Sequence, residues 1–233
     1  MQELKDQILD AALTHVAFDG WSEASLSAAI EDTGADEAAV RAIFPRGAVD
    51  LALAFHRRGD EAMVAALSPA ALAGMKIREK ITHAIRLRLE LMEAEKEAVR
   101  RGTTLFALPI HAADGARALW ETADRIWTAI GDESDDYNWY TKRLTLSGVY
   151  SSVVLYWLGD LSDGHEATWA FLDRRIEDVM QIENVKAEAR KNPLLKPLLA
   201  GPDWLLSHVK PPRRGGMADM PGYWNPRPRQ NEG

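Results

Sequence analysis

Apolar side chains recur at helical spacing along most of the chain. In the first segment they stand at i, i+3, i+4 and i+7, as Leu9, Ala12, Leu13 and Val16, which is the pattern of an amphipathic helix. Gly20 follows this stripe and predicts its end, because glycine favours the position just after a helix. No run alternates with period two between turn residues, so the sequence predicts an all-α protein.

Two short helices are expected next. Ser25 can cap one that ends at Gly34, and Asp36 can cap another that ends at Pro45. Together with the first helix they predict a helix-turn-helix head over residues 1–47, since a Gly-containing turn separates the last two.

Longer helices are predicted after the head. They are expected at about 48–67, 76–106, 115–131, 138–158 and 165–184. The segments between them carry Pro, Gly or clustered acidic residues, which a helix does not readily cross. Residues 48–184 are therefore expected to form a helical body.

The composition changes after residue 184. Residues 185–233 hold eight of the eleven prolines, with nine basic and four acidic side chains. We expect a Pro-rich basic tail in which only residues 202–210 form a short helix.

The head carries the opposite charge. Residues 1–50 contain ten acidic and three basic side chains, and Arg41 is the one cation of the third predicted helix. A helix that enters a DNA groove needs Lys, Arg or helix N-termini to neutralise the phosphates. We therefore expect no nucleic-acid partner.

The sequence offers little for catalysis or for a resident cofactor. The chain has no Cys, which excludes disulfides, thiolate zinc sites and iron–sulfur clusters. Its histidines lack the Glu spacing of di-iron bundles, and phosphate-loop, dinucleotide and Ser-hydrolase motifs are missing. Glu79 and His83 stand at i and i+4 without a second pair, which favours a surface contact over a metal site. No enzymatic activity, metal or cofactor is expected.

The first residues and the length of the apolar runs bear on targeting and on membrane insertion. The N-terminus is polar, and no apolar run reaches the roughly 18 residues that a membrane span needs. We expect neither a targeting leader nor a transmembrane helix.

Two resemblances add to these patterns. The head resembles that of tetracycline-repressor-type regulators in residues 8–13, 20–21, 25–30 and 39–45. From about residue 20 to residue 180 the chain also resembles the coenzyme Q biosynthesis accessory family, lipid-binding proteins that assist the demethoxyubiquinone hydroxylase. The most specific string is Asn-Trp-Tyr-Thr-Lys-Arg at residues 138–143, and similar strings lie at 44–47, 56–58, 75–79, 86–90 and 167–176.

The second resemblance implies a function without catalysis. It implies a repressor-like fold that does not bind DNA, a hydrophobic cavity for isoprenoid lipids, and a homodimer. The protein would take a polyprenyl quinone intermediate at the membrane and present it to the hydroxylase. We expect it in the bacterial cytoplasm, peripherally associated with the inner membrane. A ligand-responsive transcriptional regulator of the same fold is the alternative, and an unrecognised enzyme is a weaker one.

The resemblance places the hydroxylase-docking patch at Asp136, Trp139, Tyr140 and Arg143. Adjacent residues of a helix point about 100° apart, so Trp139 and Tyr140 cannot both lie at the centre of one buried face. Exposed aromatic side chains are typical binding anchors. Ordinary packing between helices is the alternative.

The lipid pocket is likewise implied by resemblance. Its expected lining is apolar and comes from neighbouring helices: Ile126, Trp127, Leu146, Val149, Tyr150, Val153, Trp157 and Phe171. A protein core and a lipid pocket use the same residue types, so the residues themselves do not separate these two interpretations.

Membrane contact is expected in the tail. The apolar residues concerned are Leu198, Leu199, Trp204, Leu205 and Val209. Lys and Arg side chains are interleaved with them, a combination that binds anionic membrane surfaces. A strap folded over the protein's own body and a disordered linker are the alternatives.

Overall fold

The computed structural model describes residues 1–134 and 137–191, with side chains described as far as residue 181. Its α-helices, numbered in chain order, are α1 Gln2–Asp19, α2 Glu23–Thr33, α3 Glu37–Ile43, α4 Ala48–Ala66, α5 Ile77–Glu90, α6 Lys96–Phe106, α7 Ala112–Ala129, α8 Asn138–Gly159 and α9 Glu166–Lys191. A 3-10 turn at Asp163–His165 precedes α9. The predicted all-α class is confirmed.

Residues 1–132 and 143–182 form one compact unit, and residues 133–142 lie outside it. Within the first unit α1 packs on α2, and α4 contacts α2, α5, α6 and α7. The boundary at residue 47 between head and body stays a prediction. The helix proposed for residues 202–210 lies outside the described residues.

The capping residues of the head helices are those that the sequence predicts, with one exception. The Asp36 carboxylate accepts a hydrogen bond from the Ala39 amide at 3.0 Å, and Gly34 ends α2 with a φ of 62°. The cap predicted at Ser25 is wrong, because Ser22 caps α2 by accepting from the Ser25 amide at 3.3 Å. The Ser25 hydroxyl instead donates to the Gly20 carbonyl at 2.7 Å, which ties the turn to the helix.

The helix predicted over residues 76–106 is two helices. A turn at residues 91–95 separates α5 from α6 although no Pro or Gly marks it. Met92 in this turn is buried, and the Glu93 carboxylate accepts from the Trp157 indole at 3.2 Å. Tertiary contacts therefore outweigh the local helix propensity of this segment.

Two contacts hold the first helices against α6. The Trp21 indole donates to the Ala98 carbonyl at 2.9 Å, and the Arg101 guanidinium donates to the Ala17 carbonyl at 3.0 Å. The second bond satisfies one of the free carbonyls at the C-terminal end of α1. The rings of Trp21 and Phe55 also pack, with centroids 5.1 Å apart.

The described helices differ in length and polarity, and none of them is both long and apolar enough to cross a bilayer.

Candidate functional site

A cavity of about 370 Å³ opens among α4, α5, α6, α7 and α8. Most of its wall is apolar and includes Ala52, Phe55, Leu89, Met92, Val99, Phe106, Leu119, Val154 and Leu155. This volume lies near the lower end of the roughly 300–1,000 Å³ of small-molecule pockets. The cavity can therefore enclose an apolar molecule, or the first part of a longer one.

The two ends of the cavity differ in exposure. Ala107, Ala112 and Leu155 line it and are exposed to solvent, which marks a mouth beside the turn from α6 to α7. Arg88 and Tyr150 also line it, yet each is only 3% exposed. The cavity thus runs from an open apolar mouth to a buried end between α5 and α8.

A polar cluster stands at this buried end. The Arg88 Nε donates to Asp60 Oδ1 at 2.8 Å, and a second guanidinium nitrogen donates to the His56 carbonyl at 2.9 Å. The Thr122 hydroxyl lies 3.0 Å from Asp60 Oδ2 and 2.8 Å from the His56 Nε2. These bonds compensate the burial of the Arg88–Asp60 pair, whose side chains are 3% and 1% exposed.

Gly59 makes room for this cluster. A Cβ at this position would overlap the Arg88 guanidinium, so only glycine allows the arginine to lie flat against α4. Close packing between α4 and α5 therefore depends on this residue.

Burial sets the protonation of the neighbouring groups. It lowers the pKa of the His56 imidazole, which is neutral at physiological pH. It also raises the pKa of the Tyr150 hydroxyl, which stays a neutral donor. The buried end therefore combines one neutralised ion pair with two neutral polar side chains.

The site residues predicted from the sequence do not include His56, Asp60, Arg88 or Thr122. A signal for two of them is present, since Arg88 continues the α5 stripe of Ile81 and Ile85 where an apolar residue is expected. Asp60 stands in the same way between Phe55 and Met63 on α4. A charge inside an apolar stripe indicates a buried ion pair.

One of the expected pocket residues lines the cavity, and that residue is Tyr150. The cavity wall does not include the other seven. Six of these are buried in the core: Ile126, Trp127, Leu146, Val149, Val153 and Trp157. Phe171 is half-buried and stacks on Tyr156, with ring centroids 4.5 Å apart.

The expected docking residues fall into separate environments. Arg143 is 2% exposed and donates to Asp124 at 2.5 Å and to Asp132 at 3.2 Å. The structure thus places it in a buried ion-pair cluster rather than on a docking surface. Trp139 and Tyr140 are both half-buried, and their rings meet edge to face with centroids 4.8 Å apart.

Several expected positions lie outside the described residues. These are Asp136 and the five membrane-contact residues, Leu198, Leu199, Trp204, Leu205 and Val209. In the part that is described, no three His, Asp or Glu side chains are grouped so as to hold a metal ion.

The basic side chain of α3 is engaged inside the head. Arg41 donates to Glu23 at 2.6 Å, and the hydrogen bond with Arg41 lowers the Glu23 pKa. The same carboxylate accepts from the Ala48 amide at 3.1 Å, which caps α4. The cation that a DNA-reading helix would use therefore joins α3 to α2.

Comparisons with known proteins bear on these features. Residues 112–183 match the COQ9 family. The chain is 30% identical over 185 residues to a probable ubiquinone biosynthesis protein coq9, mitochondrial, from Dictyostelium discoideum, covering 77% of this chain and 60% of the relative. The corresponding Drosophila melanogaster protein is 31% identical over 184 residues, covering 77% of this chain and 56% of the relative. The chain thus spans about 60% of the length of the curated relatives it matches.

The fold has a similar solved structure. A TetR transcriptional regulator from Nitrosomonas europaea superposes with a TM-score of 0.61 at 20% identity, covering 75% of this chain and 96% of that one. This similarity confirms the tetracycline-repressor-like fold. With the family match to residues 112–183, it confirms the resemblance found in the sequence: the chain is similar to COQ9 proteins and has a tetracycline-repressor-like fold.

Proposed function

We propose that this protein is a non-catalytic lipid-binding accessory factor of ubiquinone biosynthesis. The observation that carries the proposal is the apolar cavity of about 370 Å³, found in a chain similar to proteins named for ubiquinone biosynthesis. The ligand class that suits this cavity is a polyprenyl quinone intermediate, because its hydrocarbon tail needs shelter from water.

Burial of the isoprenoid tail supplies the binding energy. Each CH₂ group removed from water contributes about 0.8 kcal/mol, so even a short part of the tail gives useful affinity. The exposed lining residues at the mouth, Ala107 and Leu155 among them, leave room for the remaining tail to extend outward.

The polar groups in the cavity wall and directly behind it suit binding rather than chemistry. Asp60, Arg88 and Thr122 are hydrogen-bonded to one another or to His56, which fixes their geometry. Such a network holds a shape against which a ligand is oriented.

The proposed partner is the demethoxyubiquinone hydroxylase, with Trp139 and Tyr140 as its docking residues. An edge-to-face aromatic pair is rigid, and Trp and Tyr are enriched among the residues that dominate interface energies. We further propose a homodimer that associates with the anionic face of the inner membrane through the tail, on the cytoplasmic side in a bacterium.

A reconstituted hydroxylase assay tests this function. Demethoxyubiquinone is supplied in anionic vesicles, and hydroxylation is followed with and without the protein. The cavity-filling variant Leu119→Trp should abolish the stimulation, whereas Leu144→Trp should keep it, because Leu144 is 66% exposed and does not line the cavity. Equal stimulation by both variants would show that the cavity has no part in the activity.

The docking residues are tested in the same assay. Trp139→Ala with Tyr140→Ala should weaken hydroxylase binding while bound lipid and the melting temperature stay nearly unchanged. A large fall in melting temperature with loss of lipid would assign both rings to packing, since truncating a buried Trp costs about 3–5 kcal/mol.

The alternative function is that of a ligand-responsive transcriptional regulator. The similar fold of the Nitrosomonas europaea regulator favours it. Salt-sensitive, sequence-selective binding of duplex DNA distinguishes it from the accessory function.

A further inference from the structure

The buried end of the cavity contains a tyrosine hydroxyl that forms no hydrogen bond with the described part of the protein. Tyr150 lines the cavity and is only 3% exposed. The described part of the chain provides no hydrogen-bond partner for its hydroxyl, although the charges of Arg88 and Asp60 act on this group. The hydroxyl stays accessible from the cavity, so a ligand atom placed there can accept its hydrogen bond and gain affinity.

The charges around this hydroxyl are already balanced. Arg88 is neutralised by Asp60 at 2.8 Å, and both side chains are almost completely buried. His56 bonds Thr122 and is neutral. Among the described residues that line the cavity, Arg88 is the one charged cation, and it is already paired with Asp60. A ligand carboxylate would therefore be buried without compensation, which is costly.

The chemistry of this end therefore selects a neutral oxygen acceptor. A ring carbonyl or a ring ether can accept from Tyr150 without bringing a charge into the cavity. A fatty acid has an equally apolar tail, but its carboxylate would be buried beside the neutralised Arg88–Asp60 pair. The apolar wall, which includes Phe55 and Leu155, suits the hydrocarbon tail of either molecule.

We propose that Tyr150, held beside the Arg88–Asp60 pair, is the specificity-determining residue of the cavity and hydrogen-bonds a neutral oxygen of a quinone ring placed at the buried end, with the tail directed to the mouth. This inference rests on the proposed lipid-binding function. It adds the orientation of the ligand in the cavity and a preference of the cavity for quinones over fatty acids.

A panel of three ligands with the same ten-carbon tail tests the proposal. Decylubiquinone has ring oxygens, decylbenzene has a ring without them, and decanoate has a carboxylate. Their dissociation constants are measured for the unmodified protein, for Tyr150→Phe and for the control Tyr156→Phe. Tyr156 lies on the same helix, stacks on Phe171 and does not line the cavity. Melting temperatures verify that each variant is folded.

The expected result is a selective loss. Tyr150→Phe should weaken decylubiquinone binding up to about tenfold, as for one hydrogen bond, and leave decylbenzene unchanged. Tyr156→Phe should change neither. The unmodified protein should bind decylubiquinone more tightly than decanoate.

Other outcomes would contradict different parts of the proposal. Equal effects of Tyr150→Phe on decylubiquinone and decylbenzene, or no effect on either, would overturn the orientation while lipid binding stands. Tighter binding of decanoate than of decylubiquinone would overturn the charge argument. Failure of all three ligands to bind the unmodified protein would contradict the proposed function itself.

Discussion

The head and the cavity use arginine in opposite ways. In the head, Arg41 and Glu23 are 39% and 60% exposed, so water screens their 2.6 Å contact. At the cavity, Arg88 and Asp60 are 3% and 1% exposed, so solvent screens their contact far less. The same kind of ion pair is thus solvent-exposed in the head and buried at the cavity.

This difference bears on the proposed function. The chain shares the fold of a transcriptional regulator, yet Arg41 of α3 pairs with Glu23. In the body, the buried Arg88–Asp60 ion pair stands at one wall of an apolar cavity. A shared fold therefore does not imply a shared activity, since the chemistry of the side chains decides it.

The largest effect is expected from breaking the buried pair. Arg88→Ala should lower the free energy of unfolding by about 3–5 kcal/mol, because it leaves Asp60 charged, buried and unpaired. Urea denaturation measures the change. The double variant Arg88→Met with Asp60→Asn should recover part of the loss, since it buries no charge. A loss below about 1 kcal/mol for Arg88→Ala would put this pair in the class of surface pairs.

A smaller loss is expected from crowding the same pair. Gly59→Ala places a Cβ against the Arg88 guanidinium and should cost about 1–3 kcal/mol. Gly148→Ala is the matched control, because a Cβ there has open space within 4 Å. It should stabilise the protein by about 0.5–1 kcal/mol, as Gly is unfavourable within a helix. The same sign for both variants would contradict the close packing of Arg88 on α4.

The next effect depends on pH. Burial lowers the pKa of His56 in the folded protein, whereas the unfolded chain takes up a proton near the ordinary value of 6.5. Both states are neutral above that pH, so stability should fall as the pH decreases from about 7 to about 5. Unfolding curves at several pH values test this. His56→Gln should flatten the dependence, and an equally steep fall in that variant would remove His56 as its cause.

The smallest effect is expected in the head. Arg41→Gln should leave the melting temperature nearly unchanged, because the pair it breaks is exposed. Neither the protein nor the variant should retard duplex DNA in a low-salt mobility assay, since the head is acidic. Submicromolar, sequence-selective binding that Arg41→Gln removes would give the head a function of its own.

Much of the fold could be predicted from periodicity. Gly20 and Gly34 end their helices where expected, and Asp36 caps α3. The turn between α5 and α6 could not be predicted, because Met92 and Glu93 are held there by contacts with distant residues. Local sequence records propensity, whereas such a turn is set by packing.

The site was less accessible to prediction than the fold. Resemblance indicated a cavity and included Tyr150 in it. It did not indicate that Thr122 of α7 meets Asp60 of α4, because this contact joins residues 62 positions apart. The apolar stripes interrupted by Arg88 and by Asp60 were the visible traces of that cluster.

Mass spectrometry of the lipid that remains bound through purification tests the central claim most directly. The protein, isolated from a host that makes ubiquinone, should carry an isoprenoid quinone or its phenolic precursor. Leu119→Trp, which fills the cavity, should carry much less than Leu144→Trp. Fatty acids as the main bound lipid, or equal isoprenoid loads in the two variants, would contradict the claim that this cavity binds an isoprenoid quinone.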